Sequence, residues 1–169
     1  IIGQFMDYAR PGESQVQGVF LSRLIDREAS TFRDPSQIRI DNRVPIDLQA
    51  LADEVELGRV FLNLFENARR YGRSPDTGWA EVHVSGHRSG AWVVIEVQDR
   101  GAGVPADKLA RLTTPFFRGD AARTQATGAG LGLAIVEKAL QRMGGALELS
   151  SEPGRGLTAR LQLRRWPVG

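Results

Sequence analysis

Cysteine is absent from the 169-residue chain, so neither a disulfide nor a thiolate metal site can form. No apolar run approaches the length of a membrane span or a signal peptide. No Gly-Lys-Ser/Thr tripeptide occurs, which excludes a P-loop, and nucleophile-elbow, zinc and EF-hand motifs are missing too. Chemistry in this chain must therefore come from other residue types.

Charge of either sign is nearly balanced, and the formal net charge of +2 is too small to predict a nucleic-acid partner. Hydrophobic residues make up 41% and charged residues 25% of the chain, which is typical of a globular fold. The length fits one domain with at most a short appendage. Because the sequence begins Ile-Ile-Gly rather than with Met, we interpret it as a piece of a longer protein.

The stretch that begins at Asp99 carries the first functional signal. Trp92 to Val97 reads as a buried strand, and its alternation places Asp99 at the end of the core-facing row. A carboxylate in such a place needs a partner, because burying it alone is costly. Gly101 and Gly103 then allow a tight turn and a close approach of the backbone to another group.

A second signal lies roughly thirty residues later, where Gly128, Gly130 and Gly132 open a helix predicted over Gly130 to Met143. A glycine-rich helix start presents unpaired N–H groups, which suits phosphate. The spacing is not that of a dinucleotide-binding fingerprint, and a polar loop rather than a strand precedes it. Together with Asp99, these glycines are typical of the two ends of a nucleotide site.

The helix predicted over Asp53 to Tyr71 supplies the third signal. Asn63, Asn67 and Arg70 line up along the edge of its apolar stripe, whereas Glu66 points away and is predicted to be a surface residue. One asparagine would be read as a solvated side chain. Two at i and i+4 beside the core point to a site, because asparagine is a poor helix former.

The remaining elements follow from periodicity and turn residues. Before the Asn-bearing helix, we predict a helix tail over Ile1 to Arg10, a linker over Glu13 to Gly18, a helix over Val19 to Arg33, and a peripheral hairpin of Gln37 to Val44 with Leu48 to Ala52. After it, we predict an antiparallel pair of Trp79 to His87 with Trp92 to Val97, a short helix over Pro105 to Leu112, a mobile loop over Thr113 to Thr127, and a hairpin of Ala146 to Ser151 with Leu157 to Arg164.

The order of these motifs resembles the ATP-binding catalytic domain of sensor histidine kinases, in the superfamily that includes gyrase and Hsp90. The N box resembles Asn63 to Tyr71, the G1 box Asp99 to Gly103, the F box Pro115 to Gly119, and the G2 box Gly128 to Gly132. The runs at 4–10, 67–72 and 118–124 are especially similar to EnvZ-type osmosensor kinases.

The resemblance implies the Bergerat fold, an α/β (α+β) two-layer sandwich with a mixed five-stranded sheet packed on three helices and a flexible ATP lid. It implies three segments: residues 1–12 as the tail of a dimerisation and phosphoacceptor helix, 13–18 as a linker, and 19–166 as the catalytic domain.

The resemblance also implies a role for each matching residue. Asp99 would accept a hydrogen bond from the adenine amino group, with Thr158 helping through a water. Asn67 would be the protein ligand of Mg²⁺, with phosphates and waters completing its shell, and Asn63 would support the same region. Further contacts to ATP would come from Arg70 and Tyr71, from the lid residues Phe117, Arg118 and Arg123, and from Gly101, Gly103, Gly128, Gly130, Leu131 and Gly132. The catalytic residues would be Asn63, Asn67, Arg70 and Arg118.

One position bears on the reaction type. ATP hydrolases of the superfamily carry a glutamate as general base where this chain has Asn63, and an amide cannot take a proton from water. This favours transfer to a protein histidine over hydrolysis. In the family, the phosphoacceptor histidine lies on a helix, whereas His83 and His87 lie on a predicted strand. Neither can replace it, so the phosphoacceptor is missing from this sequence.

We therefore predict an ATP- and Mg²⁺-dependent protein-histidine kinase. Its substrate would be a histidine on its own dimerisation domain, which is absent from this sequence. The resemblance implies a response regulator as partner, a homodimeric parent, and a cytoplasmic domain of a bacterial inner-membrane protein that does not itself contact the membrane. Two alternatives are a nucleotide-binding module without chemistry and an anti-sigma-factor serine kinase. The complete set of motifs argues against the first, and the upstream helix tail and long lid argue against the second.

Overall fold

The computed structural model of the chain describes residues 15–109, 111–113, 129–152 and 154–167. These residues form seven strands and four helices. The strands are β1 (Val16–Phe20), β2 (Ile38–Asn42), β3 (Gln49–Asp53), β4 (Ala80–Ser89), β5 (Trp92–Gln98), β6 (Ala146–Glu152) and β7 (Gly156–Arg164); the helices are α1 (Leu21–Ala29), α2 (Glu54–Tyr71), α3 (Ala106–Leu109) and α4 (Ala129–Arg142).

The central sheet has five strands in the order β2-β4-β5-β7-β6. β2 runs parallel to β4, and the other neighbours are antiparallel, so the predicted mixed five-stranded sheet is confirmed. Ala80, Val82 and Val84 of β4 are buried, as the alternation predicted. β5 and β7 bury alternate side chains in the same core, together with residues of α1, α2 and α4.

Helix α2 begins and ends where its sequence dictates. Asp53 caps the first turn, with Oδ1 accepting from the N–H groups of Val55 and Glu56 at 3.0 Å each. At the other end, the N–H of Gly72 donates to the Ala68 carbonyl at 2.8 Å. The helix buries Leu57, Gly58, Val60, Phe61, Leu64, Phe65 and Ala68. The predicted helix from Asp53 to Tyr71 is confirmed, with Asp53 as its cap.

The predicted hairpin of 37–44 with 48–52 is wrong. β2 joins the edge of the central sheet beside β4, with Ile38 opposite Ala80. β3 instead pairs antiparallel with β1, with Val16 opposite Asp53. Strand β1 overlaps the predicted linker at 13–18, and the helix expected from Val19 begins only at Leu21. Each short segment found a partner distant in sequence, which local periodicity does not specify.

The later elements follow the prediction closely. β4 pairs with β5, β6 pairs with β7, and α4 occupies residues 129–142. α3 is a single turn inside the helix expected over 105–112. The predicted helix tail at 1–10 and most of the predicted loop at 113–127 lie outside the described residues. None of the helices in the described segments is both long and apolar enough to cross a membrane.

Candidate nucleotide site

The carboxylate of Asp99 lies at the end of β5, where only 6% of the residue is exposed. Its Oδ1 accepts from the backbone N–H of Gly101 at 2.9 Å and of Leu157 at 3.1 Å. Its Oδ2 accepts no hydrogen bond from the residues that the structure describes. One oxygen therefore fixes the side chain, and the second remains available to a donor.

Burial changes the pKa of the Asp99 carboxyl. Loss of solvent raises the pKa of the Asp99 carboxyl above its ordinary value, although the two backbone donors act in the opposite direction. Asp99 has no cationic partner among the described residues, and a donor that enters the site would replace the hydration that the buried carboxylate has lost. An aromatic amino group is a donor of this kind.

The turn after Asp99 is tied to the β6–β7 hairpin. Ser151 Oγ accepts from the Val104 N–H at 2.8 Å and donates to the Gly156 carbonyl at 3.0 Å. Gly103 has a φ of +84°, and a Cβ there would lie 2.8 Å from the Glu152 carbonyl oxygen. The two glycines predicted after Asp99 thus serve a tight, closely packed turn.

A small cavity of about 20 Å³ opens beside Asp99, which is space for about one water-sized group. Only two of its lining residues are polar, Asp99 and Asn67. The others are apolar: Leu64, Ala68, Val97, Leu133, Leu157 and Ala159. Such a lining suits the edge of a flat apolar ring that carries one hydrogen-bonding group.

The two asparagines of α2 face different spaces. Asn67 lines the cavity beside Asp99, and its amide makes no hydrogen bond with any described residue. Asn63 lines a larger cleft of about 440 Å³, whose other lining residues are Thr31, Phe32, Arg33, Asp34, Gln37, Ile38, Leu62, Glu66 and Arg69. The structure thus brings Asn67 and Asp99 together and places Asn63 beside a separate cleft.

Glu66 lies on the surface of α2, as predicted. Its Oε1 accepts from Arg69 and, at 3.4 Å, from Nε of Arg70. The side chains of Glu66 and Arg70 are each 40% exposed, so their ion pair is weak. Tyr71, at the last position of the helix, is 38% exposed. Both Arg70 and Tyr71 are accessible to a ligand at this end of α2.

Strand alternation keeps Thr158 out of the cavity. Leu157 and Ala159 line it, whereas Thr158 lies on the opposite face of β7 between Gln98 and Ser150. Thr158, which the resemblance places near adenine through a water, is therefore not among the residues that line this cavity. Sequence reasoning missed Leu157, which supplies both an N–H donor to Asp99 and part of the apolar wall.

Of the G2 glycines, Gly130 and Gly132 lie in the first turns of α4, and a Cβ on Gly132 would meet nothing within 4 Å. Among the described residues, therefore, no atom fills the space beside Gly132. Gly128, Phe117, Arg118 and Arg123 lie outside the described residues, as do the surroundings of Leu131.

The donor set fits Mg²⁺ only as part of a metal–nucleotide complex. Within the described segments, no group of three or more His, Asp or Glu side chains could hold a metal ion. The unpaired amide of Asn67 offers a single neutral oxygen. Mg²⁺ commonly takes one or two protein ligands and completes its shell with phosphates and waters, so one amide oxygen is compatible with it.

Comparison with known proteins identifies the family of this chain and several relatives. Residues 52–167 match the family described as histidine kinase-, DNA gyrase B- and HSP90-like ATPases. The sensor-like histidine kinase SenX3 of Mycolicibacterium smegmatis is 39% identical over 79% of this chain and 34% of its own length. The sensor histidine kinase RcsC of Escherichia coli is 39% identical over 73% of this chain and 13% of its own.

Two solved structures show the same architecture. The mycobacterial sensor histidine kinase MprB superposes with a TM-score of 0.74 at 28% identity, covering 91% of this chain and 100% of that one. Full-length ShkA in complex with AMPPNP superposes with a TM-score of 0.80 at 27% identity, covering 99% of this chain and 36% of that one.

The chain spans about a third or less of the length of the curated relatives described above. The family match covers more than half of the chain and contains Asn63, Asn67, Asp99 and the glycines of the turn and of α4. The chain is a member of the histidine kinase-, DNA gyrase B- and HSP90-like ATPase family, with sensor histidine kinases among its relatives.

Proposed function

We propose that this chain binds Mg-ATP and transfers the γ-phosphate to a histidine on the dimerisation domain of a two-component sensor kinase. The observation that carries the proposal is the buried Asp99, which lines a largely apolar cavity together with Asn67 and whose Oδ2 accepts no hydrogen bond from the described residues. The AMPPNP complex of ShkA, a structural neighbour, supports a nucleotide as the ligand.

Recognition of the base rests on Asp99. Oδ2 accepts from the 6-amino group of adenine, while Oδ1 stays bound to the N–H groups of Gly101 and Leu157. The apolar lining excludes water from this bond, which strengthens it. A base with a carbonyl at the same position would bring two acceptors together and bind poorly.

Phosphate recognition involves the other end of the site. When bound, Mg²⁺ would supply positive charge that offsets the negative charge of the phosphates during transfer, and Asn67 is the residue that would hold it. Arg70, whose ion pair with Glu66 is solvent-exposed and weak, would contact a phosphate oxygen. Phe117, Arg118, Arg123 and the glycines at 128–132 complete the proposed site.

Asn63 sets the outcome of the reaction in this proposal. An amide at this position provides no base for water, so phosphate goes to a protein side chain rather than to hydrolysis. The acceptor histidine, a response regulator and a homodimeric parent anchored in a bacterial inner membrane belong to the same proposal. Residues 1–12 and 19–166 keep their proposed roles as helix tail and catalytic domain, whereas residues 16–18 of the proposed linker at 13–18 belong to strand β1.

The test is transfer to a separately supplied histidine-containing helical domain of a related sensor kinase. The proposal predicts Mg²⁺-dependent phosphate on that domain that is labile to acid and stable to base, as phosphohistidine is. Acid-stable phosphate on serine would assign the chain to the serine-kinase alternative. ATP binding without any transfer, to several such domains, would support the module without chemistry.

A further inference from the structure

Gly72, the residue that follows α2, lies directly against the carboxylate of Asp99. A Cβ on Gly72 would be 2.5 Å from Oδ2, 2.6 Å from Cγ and 2.9 Å from Cβ of Asp99. These separations are far below a van der Waals contact. The side chain that Gly72 lacks would occupy the volume that the Asp99 carboxylate fills.

Backbone conformation does not explain the glycine at this position. Gly72 has φ of −106° and ψ of 21°, and a negative φ is open to residues with a side chain. Gly156 differs, because its φ is +84° and a Cβ there would lie 2.2 Å from the Asp99 carbonyl oxygen. At Gly72, the obstacle to a side chain is the carboxylate of Asp99.

The Asp99 side chain cannot easily move out of the way. Its Oδ1 is held by the N–H groups of Gly101 and Leu157, and the Gly101 backbone itself packs on Gly72, since a Cβ on Gly101 would lie 2.9 Å from Gly72 Cα. A methyl group at position 72 would therefore rotate or shift the carboxylate and break its alignment with a donor in the cavity.

We propose that Gly72 is a positioning residue for base recognition: the missing side chain at the end of α2 lets the Asp99 carboxylate take the orientation that reads the 6-amino group. This inference rests on the proposed function and assigns to Gly72 a role in specificity through Asp99. The contact between Gly72 and Asp99 joins the end of the helix that carries Asn67 to the turn that carries Asp99.

The test compares the Gly72→Ala and Gly58→Ala variants by calorimetry with ATP and with purine riboside triphosphate, which lacks the 6-amino group. Gly58, inside α2, is the control, because the nearest atom to a Cβ there is Oε2 of Glu28, at 2.8 Å, the far end of a flexible side chain. Gly72→Ala is expected to weaken ATP binding by about tenfold to a hundredfold. It should leave the analogue within about twofold of wild type, because the analogue does not use the hydrogen bond.

A second pair of variants separates positioning from general damage. Asp99→Gly removes all three atoms that a Gly72 Cβ would meet, so adding Gly72→Ala to it should weaken ATP binding no further. Should Gly72→Ala alone fail to fold, the double variant is expected to recover the fold of Asp99→Gly.

Several results would overturn the inference. One is an ATP affinity of Gly72→Ala equal to that of Gly58→Ala, and another is an equal loss of affinity for both nucleotides. A further loss of ATP affinity when Gly72→Ala is added to Asp99→Gly would also overturn it, as would a double variant that stays unfolded. A wild-type chain that does not distinguish the two nucleotides would instead overturn the proposed base recognition, and the role of Gly72 with it.

Discussion

Asp99 and Leu157 exchange hydrogen bonds at the edge of the site. The Leu157 N–H donates to Oδ1 of Asp99 at 3.1 Å, and the Asp99 N–H donates to the Leu157 carbonyl at 3.0 Å. The pair joins the end of β5 to the start of β7. The backbone of the sheet thereby sets the position of the carboxylate through Oδ1, and Oδ2 takes no part in these bonds.

Asp99→Asn should weaken ATP binding by about tenfold to a hundredfold and preserve the fold. The amide oxygen can keep the bonds to Gly101 and Leu157, so its NH₂ group would replace Oδ2 and face the adenine amino group. Loss of a hydrogen bond to a charged acceptor costs roughly 1.5–3 kcal/mol. Calorimetry checks this against Asp47→Asn, a change at an exposed position. Equal affinities would remove Asp99 from base recognition.

The same substitution should change how stability depends on pH. Burial raises the pKa of Asp99 in the folded chain above its unfolded value of 3.8, so between those two pKa values the native state binds more protons. Wild-type stability is therefore lost as pH rises through this window. Thermal unfolding should show the Tm of Asp99→Asn rising relative to wild type across it, with a constant difference at higher pH. A difference that is independent of pH would contradict burial as the dominant influence.

Asn67→Ala should abolish Mg²⁺-dependent transfer and retain metal-free binding of ADP. The substitution removes the amide oxygen that would hold the metal, whereas Asp99 and the apolar lining stay in place. Stability should be unchanged or improved by up to about 0.7 kcal/mol, because alanine is the better helix former. Transfer assays and ADP titrations with Gln141→Ala, an exposed position on α4, provide the control. Retained transfer would exclude Asn67 as the metal ligand, and loss of ADP binding would make it structural.

Arg142→Met should destabilise the fold without altering base selectivity. Nη2 of Arg142 lies 2.7 Å from Oε1 of Glu56, and the two side chains are only 17% and 15% exposed. Removing the cation leaves a largely buried carboxylate, at a cost of roughly 2–3 kcal/mol, somewhat less than for a fully buried pair. Urea unfolding should show this loss, and adding Glu56→Gln should recover part of it. A double variant no more stable than Arg142→Met would show that packing, rather than charge, accounts for the loss.

The parts of the fold that the sequence predicted correctly are those with long, regular patterns. The 18-residue α2 has a cap, an apolar stripe and a glycine at its end. The β4–β5 and β6–β7 pairs are hairpins between neighbours in sequence, and turn residues mark them. The pairing of β2 with β4 was missed because the two strands are far apart in sequence, and the alternation within a strand of five residues does not specify its partner.

The site residues were also predicted only in part from the sequence. Asp99 was predicted from alternation alone, and its burial and its cavity follow from that position. Thr158 was placed at the cavity, but a shift of one residue along a strand exchanges its two faces, so Leu157 lies there instead. Gly72 marked the end of α2 in the sequence, but its contact with Asp99 gave no signal, because that contact joins residues 27 positions apart.

The most direct test of the account is calorimetry of the wild-type chain with ATP and with purine riboside triphosphate. The two nucleotides differ only in the 6-amino group that Oδ2 of Asp99 is proposed to bind. The account predicts that ATP binds more tightly by about tenfold to a hundredfold, with the difference disappearing in Asp99→Asn. Equal affinity of the wild-type chain for the two nucleotides would contradict it.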